Sequence, residues 1–284
     1  MPSNLWMQSW HLNRWNNLFA GVVLIVPLSV MKNNILLPVI AALLFVAMIT
    51  VNVLANTLPI NGLDTGEVSN RYPSLFTPSG ITFSIWSVIY FFLAGSVVVM
   101  WTDRTDALIK KLLPLFCVSC ILNISWILAW HYLLPGLSVV IMLALLFVLI
   151  IIFMTLTREE ALDKTKNIWV KFPFTIYFAW ISVATIANIS AYLVSLGWHG
   201  GPVSEETWAV IMMFVAAALA FYMTTKYEAY WYSAVVIWAL IGIFLRRQGS
   251  EFAFIVYSSI LFAVVLAINI FYRIRRTRYS VVRD

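Results

Sequence analysis

Three stretches of this chain set large aromatics and amides at spacings of three and four: Phe83, Trp86, Tyr90 and the small Ala94; Asn123, Trp126 and Trp130; and Tyr177, Trp180, Ala184 and Asn188. On a helix each set falls on one face. The chemistry these residue types offer is stacking and hydrogen bonding by indole, phenol and amide. Trp86, Tyr90, Trp126, Tyr177 and Trp180 suit the walls of a flat apolar cavity for a planar ligand. Asn123 and Asn188 fall deep inside apolar runs, where an unpaired amide is costly, so each must bond another helix, a carbonyl, water or a ligand. Ordinary helix–helix packing gives the same stripes. Other chemistry is missing. There is no GxSxG, HExxH or P-loop pattern, and no catalytic residue is assigned. Cys117 and Cys120 form a CxxC inside an apolar run with no second pair and no histidine, which reads as buried thiols rather than a metal site. His131, at a run's end, suits an interfacial histidine, with haem ligation the rarer alternative.

Membrane helices carry these residues. Of 284 residues 62% are hydrophobic and 11% charged, and several apolar runs exceed the spanning length, which sets the class as an all-α polytopic membrane protein. The runs are continuous rather than alternating, which excludes a β-barrel. Eight spans are expected, at about 35–57, 81–101, 111–133, 135–156, 169–196, 206–225, 229–245 and 252–272. Residues 1–34, with three tryptophans and a short run broken by Pro27, read as an interfacial segment. The 58–79 connection is long and rich in turn formers, which suits a loop folded over the bundle. No ionisable residue falls in the middle of a span, which argues against ion-coupled transport. The net charge of +6 does not indicate nucleic acid, because the basic residues lie at span ends. Fifteen of the eighteen Lys and Arg fall on the side of the termini, which places both ends in the cytoplasm of a bacterial-type plasma membrane.

Three motifs in order then carry a resemblance. Pro73-x-x-x-x-Pro78, seven intervening residues and Trp86-x-x-x-Tyr90 come first. Leu122-Asn123-x-x-Trp126 and Tyr177-x-Ala179-Trp180-x-x-x-Ala184-Thr185-x-x-Asn188 follow. Together they resemble the loop and the second, third and fifth helices of the TspO/MBR family, the translocator or tryptophan-rich sensory proteins. The added spans resemble its longer, eight-span branch. The resemblance implies a five-helix bundle over residues 35–196, three further helices over 197–284, and a pocket beneath the first loop that takes porphyrins. Pocket candidates carried over by motif position are Trp86, Tyr90, Asn123, Trp126, Trp180, Ala184 and Asn188. Tyr177 joins them from its stripe, and Pro73 and Pro78 shape the loop above. The chain departs from the family loop at Leu75, Thr77 and Gly80, where two tryptophans and a proline are usual. It also has no basic residue after Tyr192, so cholesterol is not carried over.

The expected function is binding, with sensing or transport, of a hydrophobic planar molecule such as a tetrapyrrole. A secondary transporter for an uncharged or amphiphilic metabolite is the rival, and an enzyme is the least favoured class. No cofactor is required, though bound porphyrin or haem is allowed. The expected partners are lipid and a hydrophobic small molecule. The reading leaves room for a homodimer and excludes nucleic acid.

Overall fold

In hydrocarbon the backbone must satisfy its own hydrogen bonds, so each apolar run closes into a helix. The structure, a computed structural model, describes residues 35–281 apart from 59, 160 and 199. The expected interfacial segment, 1–34, lies outside the described residues. The helices are α1 (Leu36–Thr57), the short α2 (Thr65–Arg71), α3 (Ile85–Thr102), α4 (Ala107–His131), α5 (Pro135–Thr157), α6 (Phe172–Ser195), α7 (Glu205–Tyr227), α8 (Tyr230–Arg247) and α9 (Ala253–Val281). No strand occurs among the described residues. The chain is a polytopic helical membrane protein.

Helix ends follow local chemistry. α4 starts four residues before the expected Lys111 because the Asp106 carboxylate accepts the N–H groups of Leu108 (2.8 Å) and Ile109 (3.2 Å). Asp64 and Glu67 make a reciprocal capping box that starts α2. α6 begins at Phe172, after a wide turn of π-helix over Asn167–Lys171. That turn pushes Trp169 against Gly95 of α3, where a Cβ would collide with the indole.

Helices α3, α1, α4, α5 and α6 pack in that order around a ring that closes between α6 and α3. α8 lies on the outside of α6, and α9 packs along α7 and α8. α9 is fastened to α7 at both ends. The Phe254 N–H donates to Glu206 Oε1 (3.1 Å), and Arg273 Nη2 donates to the Thr225 carbonyl (2.8 Å).

Seven of the long helices are long and apolar enough to cross a membrane. α8 falls outside that set, because its eighteen residues end in Arg246 and Arg247. At 1.5 Å per residue it still rises about 27 Å. Its Trp231 meets Phe172 at the start of α6, ring centroids 5.0 Å apart. Its last turn meets the segment over the far end of the bundle, so it runs the full thickness beside α6.

Candidate ligand-binding site

The segment between α1 and α3 folds back over the ring. Its first half is pinned by His131, the last residue of α4, which is fully buried. His131 Nδ1 faces the carbonyls of Leu63 (3.0 Å) and Ile60 (3.4 Å) and must therefore be the protonated nitrogen. In that tautomer Nε2 accepts from the Thr65 hydroxyl at 3.1 Å. The Asn61 amide also donates to the His131 carbonyl (3.1 Å). A histidine expected at the interface is thus the buried anchor of the loop.

Beneath this segment lies a cleft. Its floor and sides come from α3, α4 and α6: Trp86 with Phe83 before it, Trp126 with Trp130, and Trp180 with Ala184 and Asn188. α2 and the 73–78 stretch cover it with Thr65, Ser69, Thr77 and Pro78. The rings interlock rather than lie parallel. Trp180 meets Trp86 at 85° and Phe83 at 89°, centroids about 6 Å apart. Trp126 and Trp130 stack at 18°. The small residues Ala184, Ala187 and Ala191 on α6 leave the space open. The cavity measures about 60 Å³, and all the space between its walls out to the open mouth totals about 600 Å³.

Of the residues marked in the sequence, Trp86, Trp126, Trp180, Ala184, Asn188 and Pro78 line this cleft. Tyr90, Asn123, Tyr177 and Pro73 do not. Tyr90 stacks on Trp86 at 18°, centroids 5.3 Å apart, with its hydroxyl buried near Asn123. Asn123 is at the centre of a polar chain across three helices. Asn52 Nδ2 donates to its Oδ1 (2.8 Å), and its own Nδ2 donates to the Tyr177 hydroxyl (3.0 Å). The two intramembrane amides do not meet. Asn188 instead pairs with Ser138 of α5 at 3.0 Å. Trp130, on the same stripe as Asn123 and Trp126, is only 6% exposed and lines the cleft. Its three-and-four spacing with Asn123 and Trp126 was the signal for this.

No acidic, basic or histidine side chain lines the cleft. Two of its lining side chains carry unspent donors. The indole N–H groups of Trp126 and Trp180 are buried with no acceptor among the described residues. Asn188 spends one end of its amide on Ser138, and the other end makes no hydrogen bond among the described residues. A buried donor without a partner costs about 1–3 kcal/mol, and a bound acceptor would recover part of that.

Haem does not fit this site. No histidine, cysteine, methionine or tyrosine stands among the lining residues to ligate iron. A cavity of about 150 Å³ takes a single benzene, so a macrocycle exceeds the cleft as it stands.

No curated protein and no solved structure gives a significant match to this chain. The loop-covered aromatic cleft in a ring of five helices, with three more helices alongside, nevertheless falls within one continuous family match over residues 38–272, and the chain belongs to the TSPO-like proteins.

Proposed function

We propose that the cleft binds a flat, uncharged, largely apolar molecule that presents hydrogen-bond acceptors at its rim. The observation that carries this is the pair of acceptor-less indole N–H groups, on Trp126 and Trp180, in a lining free of ionisable side chains. The apolar walls supply burial and the two donors supply orientation. A carboxylate on the ligand would meet no cation among the lining residues, which favours carbonyl- or quinone-type edges. A tetrapyrrole is the large member of this class, and its entry requires the cover to lift. The protein acts in a plasma membrane of bacterial type with both ends in the cytoplasm and the cleft at the outer face. The asymmetry of basic residues supports that placement.

The test is titration calorimetry in mild detergent with 1,4-naphthoquinone, naphthalene and protoporphyrin IX. Naphthoquinone is expected to bind about two- to twelvefold more tightly than naphthalene, the range of one net hydrogen bond. Trp126→Phe and Trp180→Phe keep a ring and lose the donor, so each should shrink that margin while leaving naphthalene nearly unchanged. Trp101→Phe, at the exposed end of α3, is the control. Absence of binding by all three compounds, or equal affinities in all four proteins, would remove the proposal.

A further inference from the structure

The cover of the cleft is held from two sides, and the second side belongs to α8. Five hydrogen bonds run from α8 side chains to the 70–82 stretch, and a sixth runs back. Trp238 Nε1 donates to the Thr82 carbonyl at 2.9 Å, in the 3-10 turn (Gly80–Ser84) where the flap runs into α3. Arg246 donates to the Pro78 carbonyl (3.2 Å) and to Asn70 Oδ1 (3.1 Å). Arg247 donates to the carbonyls of Ser74 (2.8 Å) and Leu75 (3.4 Å). In return the Ser79 N–H donates to the Gly242 carbonyl at 2.9 Å. Gly242 makes this approach possible, because any side chain there would collide with that of Thr82.

The two attachments differ in kind. The His131 anchor is fully buried, so breaking its bonds in place would leave buried polar groups without partners. The arginines of α8 are only half-buried, and no carboxylate pairs with either among the described residues. Their bonds to lid carbonyls exchange readily for bonds to water. Pro73 and Pro78 stiffen the stretch between them, so it moves as a flap rather than as a slack loop. The remaining walls are long helices packed on one another, and the cavity of about 60 Å³ admits no ring-sized molecule until a wall moves.

We propose that Trp238, Arg246 and Arg247 are positioning residues of the cleft: α8 latches the flap shut, and ligand exchange goes through release of that latch while His131 holds the hinge. This gives the ligand cleft a gate, and so rests on the binding reading above, but its test needs no ligand.

A single thiol is placed on the cleft wall as Ala187→Cys in full-length protein whose native Cys117 and Cys120 are both changed to Ala. Its reaction rate with a small uncharged maleimide is then measured. A second reporter, Leu149→Cys, sits in the buried core of α5. Each variant, Trp238→Phe and Arg246→Ala with Arg247→Ala, is compared with its parent at matched temperature below its thermal midpoint. Losing one net hydrogen bond shifts an opening equilibrium about two- to twelvefold. Labelling of the cleft thiol should speed up by that factor in Trp238→Phe and by more in the double arginine variant, with the rate at the core thiol unchanged. Unchanged labelling of the cleft thiol would overturn the proposal. So would an equal rise at the core thiol, since that is general loosening. Naphthoquinone binding, measured on counterparts of the same variants without the introduced thiols (to which the quinone would add), separates the two readings. Faster labelling without binding sinks the ligand but keeps the gate, and binding with unchanged labelling sinks the gate alone.

Discussion

At Asn123 both ends of the amide are spent within the protein, whereas at Asn188 only one is. Two buried amides of the same type therefore do different work. Replacing Asn123 with Leu strands the Tyr177 hydroxyl between helices and removes the interhelical bond of Asn52, which keeps its bond to the Met48 carbonyl at 2.9 Å, and the expected cost is about 1–2 kcal/mol of stability. Affinity for a cleft ligand should stay within about twofold. Replacing Asn188 with Leu strands only Ser138, which keeps its bond to the Pro135 carbonyl at 2.9 Å. It also puts a bulky apolar group on the cleft wall, so affinity should fall several-fold with a smaller change in stability. Thermal unfolding and calorimetric titration of both variants check the pair. The opposite ranking would mean that the polar chain through Asn123, and not the cleft, meets the ligand.

At the scale of elements, the end of the bundle away from the cover is tied by charge. Lys166 reaches Asp106 at 2.9 Å, Asp163 at 3.4 Å and Asp103 at 3.8 Å, joining the α3–α4 turn to the segment before α6. The hydrogen bond from Lys166 holds the Asp106 carboxyl below its ordinary value, and the neighbouring N–H groups of α4 add to this. A carboxylate depressed in the folded state stabilises above its unfolded pKa, near 3.8, and loses that contribution as pH falls through the lower folded value. Acidification from pH 6 to pH 3 should therefore cost wild type more than Lys166→Ala. At pH 6 the variant itself should unfold about 1–3 °C lower, as expected for partly exposed pairs. Differential scanning at the two pH values checks both statements. The helices themselves were legible in the sequence because length and hydropathy leave a membrane chain few options. Trp86, Trp126, Trp180 and Asn188 were readable as one surface because three-and-four spacing survives folding unchanged. Tyr90, Asn123 and Tyr177 share those stripes yet lie below the cleft, since spacing gives the face of a helix and not the depth. The partners of Asn123 and the role of His131 depended on helices distant in sequence, and no local pattern encodes such a meeting.

For the whole molecule, the flap, the His131 anchor and the last turn of α8 all lie at one end of the bundle, and the Lys166 cluster lies at the other. If both termini are cytoplasmic, a cysteine at Gln248 reacts with an impermeant reagent from outside and one at Thr105 does not. Both positions are exposed, and the reverse pattern would invert the molecule. The latch also sets an order of events during synthesis. Trp238 follows Thr82 by 156 residues in the chain. At ordinary rates of about 5–20 residues per second, roughly 8–30 s separate the appearance of the flap from that of the helix that fastens it. The aromatic walls on α3, α4 and α6 are complete before that helix emerges. A newborn chain thus has its cavity walls in place while the cover still lacks its fastening, so a gate of the kind proposed would be the last part of the cleft to close.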